Sequence, residues 1–224
     1  MEHKDAILER ELNILRDRLL LMGGEAELAL QRAINALVHR DSDLAHQVLE
    51  HDKTIDELEL EIDRLSMDIL ALRRPAARDL RTVISIAKIT PILERIADHA
   101  ANIARVAVEL NDEPEVKTFG ELLVMAEKAS EMLRGALDAF TSNDAESARG
   151  IKARDAEINE IYERQFKEFM QAMAADAEYS TRIARLLFIT KHLERIGDYV
   201  KDICEVTVYM KEAVFIKHPK NKAA

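Results

Sequence analysis

The sequence has no tryptophan and a single cysteine, Cys204. One thiol excludes an intrachain disulfide and fits a reducing compartment. Proline and glycine are also scarce, with four and six in 224 residues. That leaves little of the turn punctuation an all-strand fold needs, and aromatics at 4% remove part of the usual strand vocabulary. No window approaches 18 uncharged apolar residues, so no membrane-spanning helix is expected. The N-terminus, MEHKDAILEREL, lacks the basic start and apolar run of a signal peptide. The expectation is a soluble cytoplasmic protein. Positive charge is outnumbered, 32 Lys and Arg against 42 Asp and Glu, for a net −10. A duplex-DNA binder takes much of its affinity from basic residues at phosphates, so no nucleic-acid partner is expected.

What is abundant is helix-forming: Ala, Leu, Ile, Glu, Arg and Asp dominate. Hydrophobic content of 48% suffices for a core, and 33% charge suits helices with one wet face. The length admits two small domains or one elongated one. Apolar residues recur at helical spacing from 4 to 39, through Leu12, Leu15, Leu19, Met22, Leu30 and Leu37. Gly23-Gly24 could break this helix, but the pattern resumes in phase and favours continuity. Asp41 or Ser42 then caps a short helix ending near His51, and Asp52 opens a longer one along Ile55, Leu58, Ile62, Leu65 and Ile69. Pro75 punctuates, and a further helix runs from about 76 to 110. The clearest linker is NDEPE at 111–115.

The second half repeats this order: a helix over about 116–140, a cap in TSNDAES, a short helix, a helix opened by Asp155, and a last one over about 178–212. At an offset of 100, residues 81–110 and 181–210 share ten identities in thirty, seven of them between 89 and 98. At an offset of 103, Asp52, Ile55, Glu57 and Met67 match Asp155, Ile158, Glu160 and Met170. This is an internal duplication. Antiparallel helices with short links make three-helix bundles. The expected fold is all-α: one bundle over 1–112, a second over 113–215 related by a pseudo-twofold, and a frayed basic tail over 216–224.

The identities concentrate on LERIADHAANI and LERIGDYVKDI. Glu94 and Asp98, and again Glu194 and Asp198, lie four apart on a helix, where like charges repel by a few tenths of a kcal/mol. Asn102 and Asp202 extend the two stripes. Asp52 and Asp56 form another such pair on the preceding helix, matched by Asp155 and Asn159. The turn near 73–78 lies about equally far from Asp56 and Glu94, so the pairs come to one height on facing helices. Oxygen donors converging in each half suit a divalent or trivalent ion: Fe, Mn, Mg or Ca, less specifically Zn. The plainer reading stands beside it. Acidic pairs also occur at Glu57/Glu61 and Glu59/Asp63, and Arg95 and Arg195 can pair with Asp98 and Asp198.

Other features are weaker. Pro91 removes a backbone N–H one turn before Glu94 and should kink its helix. His46, His99 and His192 are isolated in sequence, and Cys204 reads as core. Arg73, Arg74, Arg78 and Arg81 surround a helix start, as a solvated hairpin end or an anion site. No Glu-x-x-His, His-Glu-x-x-His, phosphate-cradling glycine loop or Cys-x-x-Cys occurs. A metalloenzyme built on the carboxylates and a purely structural helical protein remain the alternatives to a regulator.

The duplicated ERIAD/ERIGD, the DKTIDELE opening and the RDLR after the Arg-Pro turn together resemble the PhoU family, over nearly the whole chain. The resemblance implies two three-helix bundles in a cytoplasmic, non-enzymatic protein that is often a homodimer. It implies action between the phosphate ABC transporter, through its ATPase PstB, and the sensor histidine kinase PhoR, with repression of the phosphate regulon when phosphate is ample. It further implies metal clusters on acidic motifs, here Glu94/Asp98, Glu194/Asp198, Asp52/Asp56 and Asp155. Asn159 departs from that pattern.

Overall fold

The computed structural model describes residues 2–115, 119–175 and 179–216. Six α-helices lie among the described residues: α1 (Glu2–His39), α2 (Ser42–Asp68), α3 (Ala77–Asn111), α4 (Leu122–Ser142), α5 (Ala145–Ala175) and α6 (Ser180–Glu212). No strand occurs among the described residues. α1, α2 and α3 pack as one three-helix bundle and α4, α5 and α6 as the other. The basic tail expected at 216–224 lies, apart from Ile216, outside the described residues, as do 116–118, where α4 was expected to begin.

Local chemistry accounts for the boundaries. Asp41 caps α2 by accepting the Leu44 N–H at 2.9 Å. Asp144 caps α5, accepting from the N–H groups of Glu146 and Ser147 at 3.0 and 3.1 Å. α2 ends in a wider π turn, Ile69–Arg73, closed by Arg74 in the left-handed conformation just before Pro75. α1 is continuous through Gly23-Gly24. A Cβ at Gly23 would come 2.6 Å from Leu137 Cδ1, so this glycine lets α4 approach α1. α3 is likewise unbroken through Pro91.

One expectation is corrected. The short helices expected before Asp52 and before Asp155 are not separate elements. Each is the first part of a single long helix, so among the described residues each half has three α-helices. No Pro interrupts either stretch, and both aspartates sit well inside their helices.

The core runs without a gap from one bundle into the other. It is joined where α3 packs on α6 and, less extensively, where α1 meets α4. Thr90 and Thr190 are identical in the repeat and both buried; their hydroxyls bond to the carbonyls of Ile86 and Leu186 at 2.9 and 2.8 Å. Arginines pin the linker. Arg40 donates to the carbonyls of Asn111 and Glu113 at 2.5 and 2.6 Å, and Arg182 to that of Pro114 at 3.2 Å. No helix among the described residues is long and apolar enough to cross a membrane.

Candidate metal centre

In the first half the acids of α2 and α3 face each other. Burial, then the charge of Asp98, then those of Glu59 and Asp56, push the Glu94 carboxyl up to about 7, with a hydrogen bond between Glu94 and Asp98. Asp52 is held above its ordinary value by burial and by Asp98 and Asp56. Glu59 is raised by burial, then by Asp63, Asp56 and Asp98. Five carboxylates (Asp52, Asp56, Glu59, Glu94, Asp98) thus share one electrostatic neighbourhood. Glu94 and Asp52 are half-buried at the helix contact, while Asp56 and Asp98 lie at its wet edge. Ala97 and Ala101, both buried, keep the contact narrow. Asp52, which reads as a helix cap in sequence, serves instead to bring charge to α3.

Glu59 was not among the expected ligands. It stands three residues after Asp56 and seven after Asp52, on the same helical stripe. That spacing was visible, but periodicity alone does not say which of several acidic pairs on α2 faces the neighbour. As the side chains stand, no three of the His, Cys, Asp and Glu groups among the described residues are placed to hold one ion between them. The donor set nevertheless fits a hard cation in charge and chemistry. It is all oxygen, and it is crowded enough to hold Glu94, Asp52 and Glu59 above their ordinary values.

The second half is built differently. Asp155 is buried within α5, at 5% exposure. One of its oxygens accepts from Asn159 Nδ2 at 3.0 Å and from Lys201 Nζ at 3.1 Å. Lys201 also donates to Asp198 Oδ1 at 2.6 Å, so a single ammonium bridges α5 and α6. Glu194 accepts from Lys191 at 2.6 Å, and Arg195 lies 3.7 Å from Asp198. Burial alone would lower the Lys201 pKa, but the bonds to Asp198 and Asp155 outweigh it and hold it above the ordinary lysine range. Gly197 sits at this contact: a Cβ there would meet Asp155 Oδ1 at 3.2 Å and Ile158 Cδ1 at 3.0 Å.

Asp202 lines an open groove of about 440 Å³ between α3 and α6, with Pro91, Arg95 and Tyr199. Asn102 accepts from Arg105. His99 and His192 are far apart in sequence but meet across α3 and α6, Nδ1 to Nδ1 at 2.8 Å, with Tyr199 stacked on His99. His46 bonds the Ser42 carbonyl at 2.7 Å. Of the arginine cluster, Arg73 forks onto Glu11 at 2.6–3.1 Å, and Arg81 reaches the Met210 carbonyl at 3.3 Å. Cys204 is buried, its thiol pushed up to about 12 by that burial.

Relatives share this plan. The PhoU domain model matches residues 19–107 and again 122–207, once in each bundle. A protein of Zymomonas mobilis named "Phosphate-specific transport system accessory protein PhoU homolog" is 39% identical over 207 residues, 92% of this chain and 87% of its own. The Escherichia coli protein named "Phosphate-specific transport system accessory protein PhoU" is 34% identical, over 97% of this chain and 90% of its own. The crystal structure of PhoU from Pseudomonas aeruginosa superposes with a TM-score of 0.88 at 37% identity, over 92% of this chain and 99% of that one. The PhoU from Streptococcus pneumoniae gives 0.85 at 29% identity, over 93% and 99%. With the family domain present twice, at near full length and on the same six-helix frame, the chain belongs to the PhoU family.

Proposed function

We propose that this chain is a non-enzymatic regulator of phosphate uptake. In this reading it acts in the cytoplasm, as a homodimer, between the phosphate ABC transporter's ATPase PstB and the sensor histidine kinase PhoR, and represses the phosphate regulon when phosphate is ample. The observation that carries the reading is the family domain matched in both bundles, in relatives named as accessory proteins of phosphate-specific transport. The absence of a His-Glu-x-x-His motif or a phosphate-cradling glycine loop in the sequence agrees with a docking protein. Deletion of the gene is the test. Starvation-responsive reporters are expected to run in high phosphate in the deletion strain and to be silenced again by the gene in trans. Repression that survives deletion would refute the reading.

The regulator also holds a metal ion (Fe, Mn, Mg or Zn) at Asp52, Asp56, Glu59, Glu94 and Asp98. A bound cation supplies the positive charge that this set lacks and ties α2 to α3 through oxygen ligands. Elemental analysis of protein purified without chelator checks it. The metal is expected in wild type and absent from Glu94→Ala/Asp98→Ala, and equal content in both would refute the site.

A further inference from the structure

The two halves differ at the positions that pack around the paired acids. Where the first half has Asp56, Glu59, Pro91 and Ala101, the second has Asn159, Tyr162, Lys191 and Lys201. Two carboxylates are lost and two ammonium groups are gained. Both new cations lie on the acids. Lys201 spans Asp155 and Asp198 at 3.1 and 2.6 Å. Lys191 holds Glu194 at 2.6 Å and lies 4.9 Å over the ring of Tyr162. Asn159 turns its N–H toward Asp155, which uses the amide as a donor and not as a metal-facing oxygen.

Physical chemistry makes one of these cations decisive. Asp155 is 5% exposed, and a buried carboxylate is tolerated only with a charge partner and hydrogen bonds. An ammonium is a compact point charge with three donors, and it can bridge two carboxylates much as a small cation does. Lys201 makes two such bonds across the α5–α6 contact. Its counterpart, Ala101, brings no charge to the α2–α3 contact, where Asp52, Glu59 and Glu94 are raised by burial and by neighbouring carboxylates.

We infer that Lys201 is the resident cation of the second half: its ammonium takes the bridging place that an ion takes in the first half, so the chain loads metal in one bundle only. This rests on the reading of the first half as an ion site. The second set, Glu194, Asp198, Asp155 and Asn159, is closed by a residue of the chain itself.

Two measurements test it. In full-length protein titrated with Mn²⁺, Asp198→Asn is expected to leave the bound-ion ratio at the wild-type value, while Glu94→Ala/Asp98→Ala loses it. A drop in Asp198→Asn overturns the inference. The second measurement starts from the Glu94→Ala/Asp98→Ala protein, which removes the first site. Adding Lys201→Ala is expected to create a Mn²⁺-dependent rise in thermal midpoint that the parent and its Lys201→Arg form lack. No rise in a folded Lys201→Ala protein overturns the inference. Wild type that binds no Mn²⁺ refutes the first-half reading instead, and the Lys201→Ala arm still decides this one. Should that variant fail to fold, the Asp198→Asn comparison remains decisive.

Discussion

Glu94 shows how far one side chain can be moved by its neighbours. Its carboxyl is raised to about 7 by burial and by Asp98, Glu59 and Asp56, against 4.5 for the free side chain. The folded chain therefore keeps a proton that the unfolded chain releases. Stability from this group is full below pH 4.5, declines as pH rises toward 7, and stays reduced above it. Glu94→Gln, which cannot ionise, is expected to stabilise the ion-free protein at pH 8 by about 1 kcal/mol, a gain reduced by solvent at the cluster's edge, and to change little at pH 4.5. Denaturant titrations at the two pH values check this, and an equal effect at both would contradict it. The i, i+4 spacing of Glu94 and Asp98 was legible in sequence. Glu59 is not legible in the same way, because its own pair, Glu59/Asp63, looks like any other acidic pair on a wet face.

Among elements, α1 separates two adjacent glycines with different tasks. Gly23 is buried where α4 crosses, and an added Cβ would strike Leu137 at 2.6 Å. Gly24 is exposed, with nothing within 4 Å of an added Cβ. Gly23→Val is expected to destabilise by about 1–3 kcal/mol through overpacking. Gly24→Ala is expected to stabilise by up to about 1 kcal/mol, because alanine loses less backbone entropy in a helix. Thermal or chemical unfolding of the two variants checks the contrast, and matching signs would refute it. Sequence periodicity favoured a continuous α1 but could not tell the two glycines apart. It also split α2 and α5 too finely: an aspartate before an apolar stripe looks like a cap, and only the facing helix reveals that it points sideways.

At the scale of the whole molecule, the α3–α6 contact joins the duplicated bundles, and His99 and His192 meet there. Burial, then the charges of His99 and Arg105, bring His192 down to about 4. Burial also lowers His99, with Asp98 opposing and Arg195 and Arg95 assisting. A bond from one Nδ1 to the other needs one of them unprotonated. The unfolded chain takes protons first, so stability from the pair is full above pH 6.5 and is lost as pH falls toward 4. His192→Leu is expected to flatten that acid limb by about 1–2 kcal/mol, read from thermal midpoints across a pH series. Parallel limbs in wild type and variant would contradict it.

The sequence by itself determined the helical class, the two-bundle plan and the position of the acidic stripes, because helix periodicity, the scarcity of proline and glycine, and duplication are all properties of the linear chain. Tertiary structure alone decided which charges meet. It gathered Glu59 with four other carboxylates, drew Lys201 between Asp155 and Asp198, joined two histidines that lie 93 residues apart, and set Asp202 along a groove between α3 and α6. The reason is range: periodicity assigns a residue to a face of its own helix, whereas the charge it answers to belongs to whichever helix packing brings within a few ångströms.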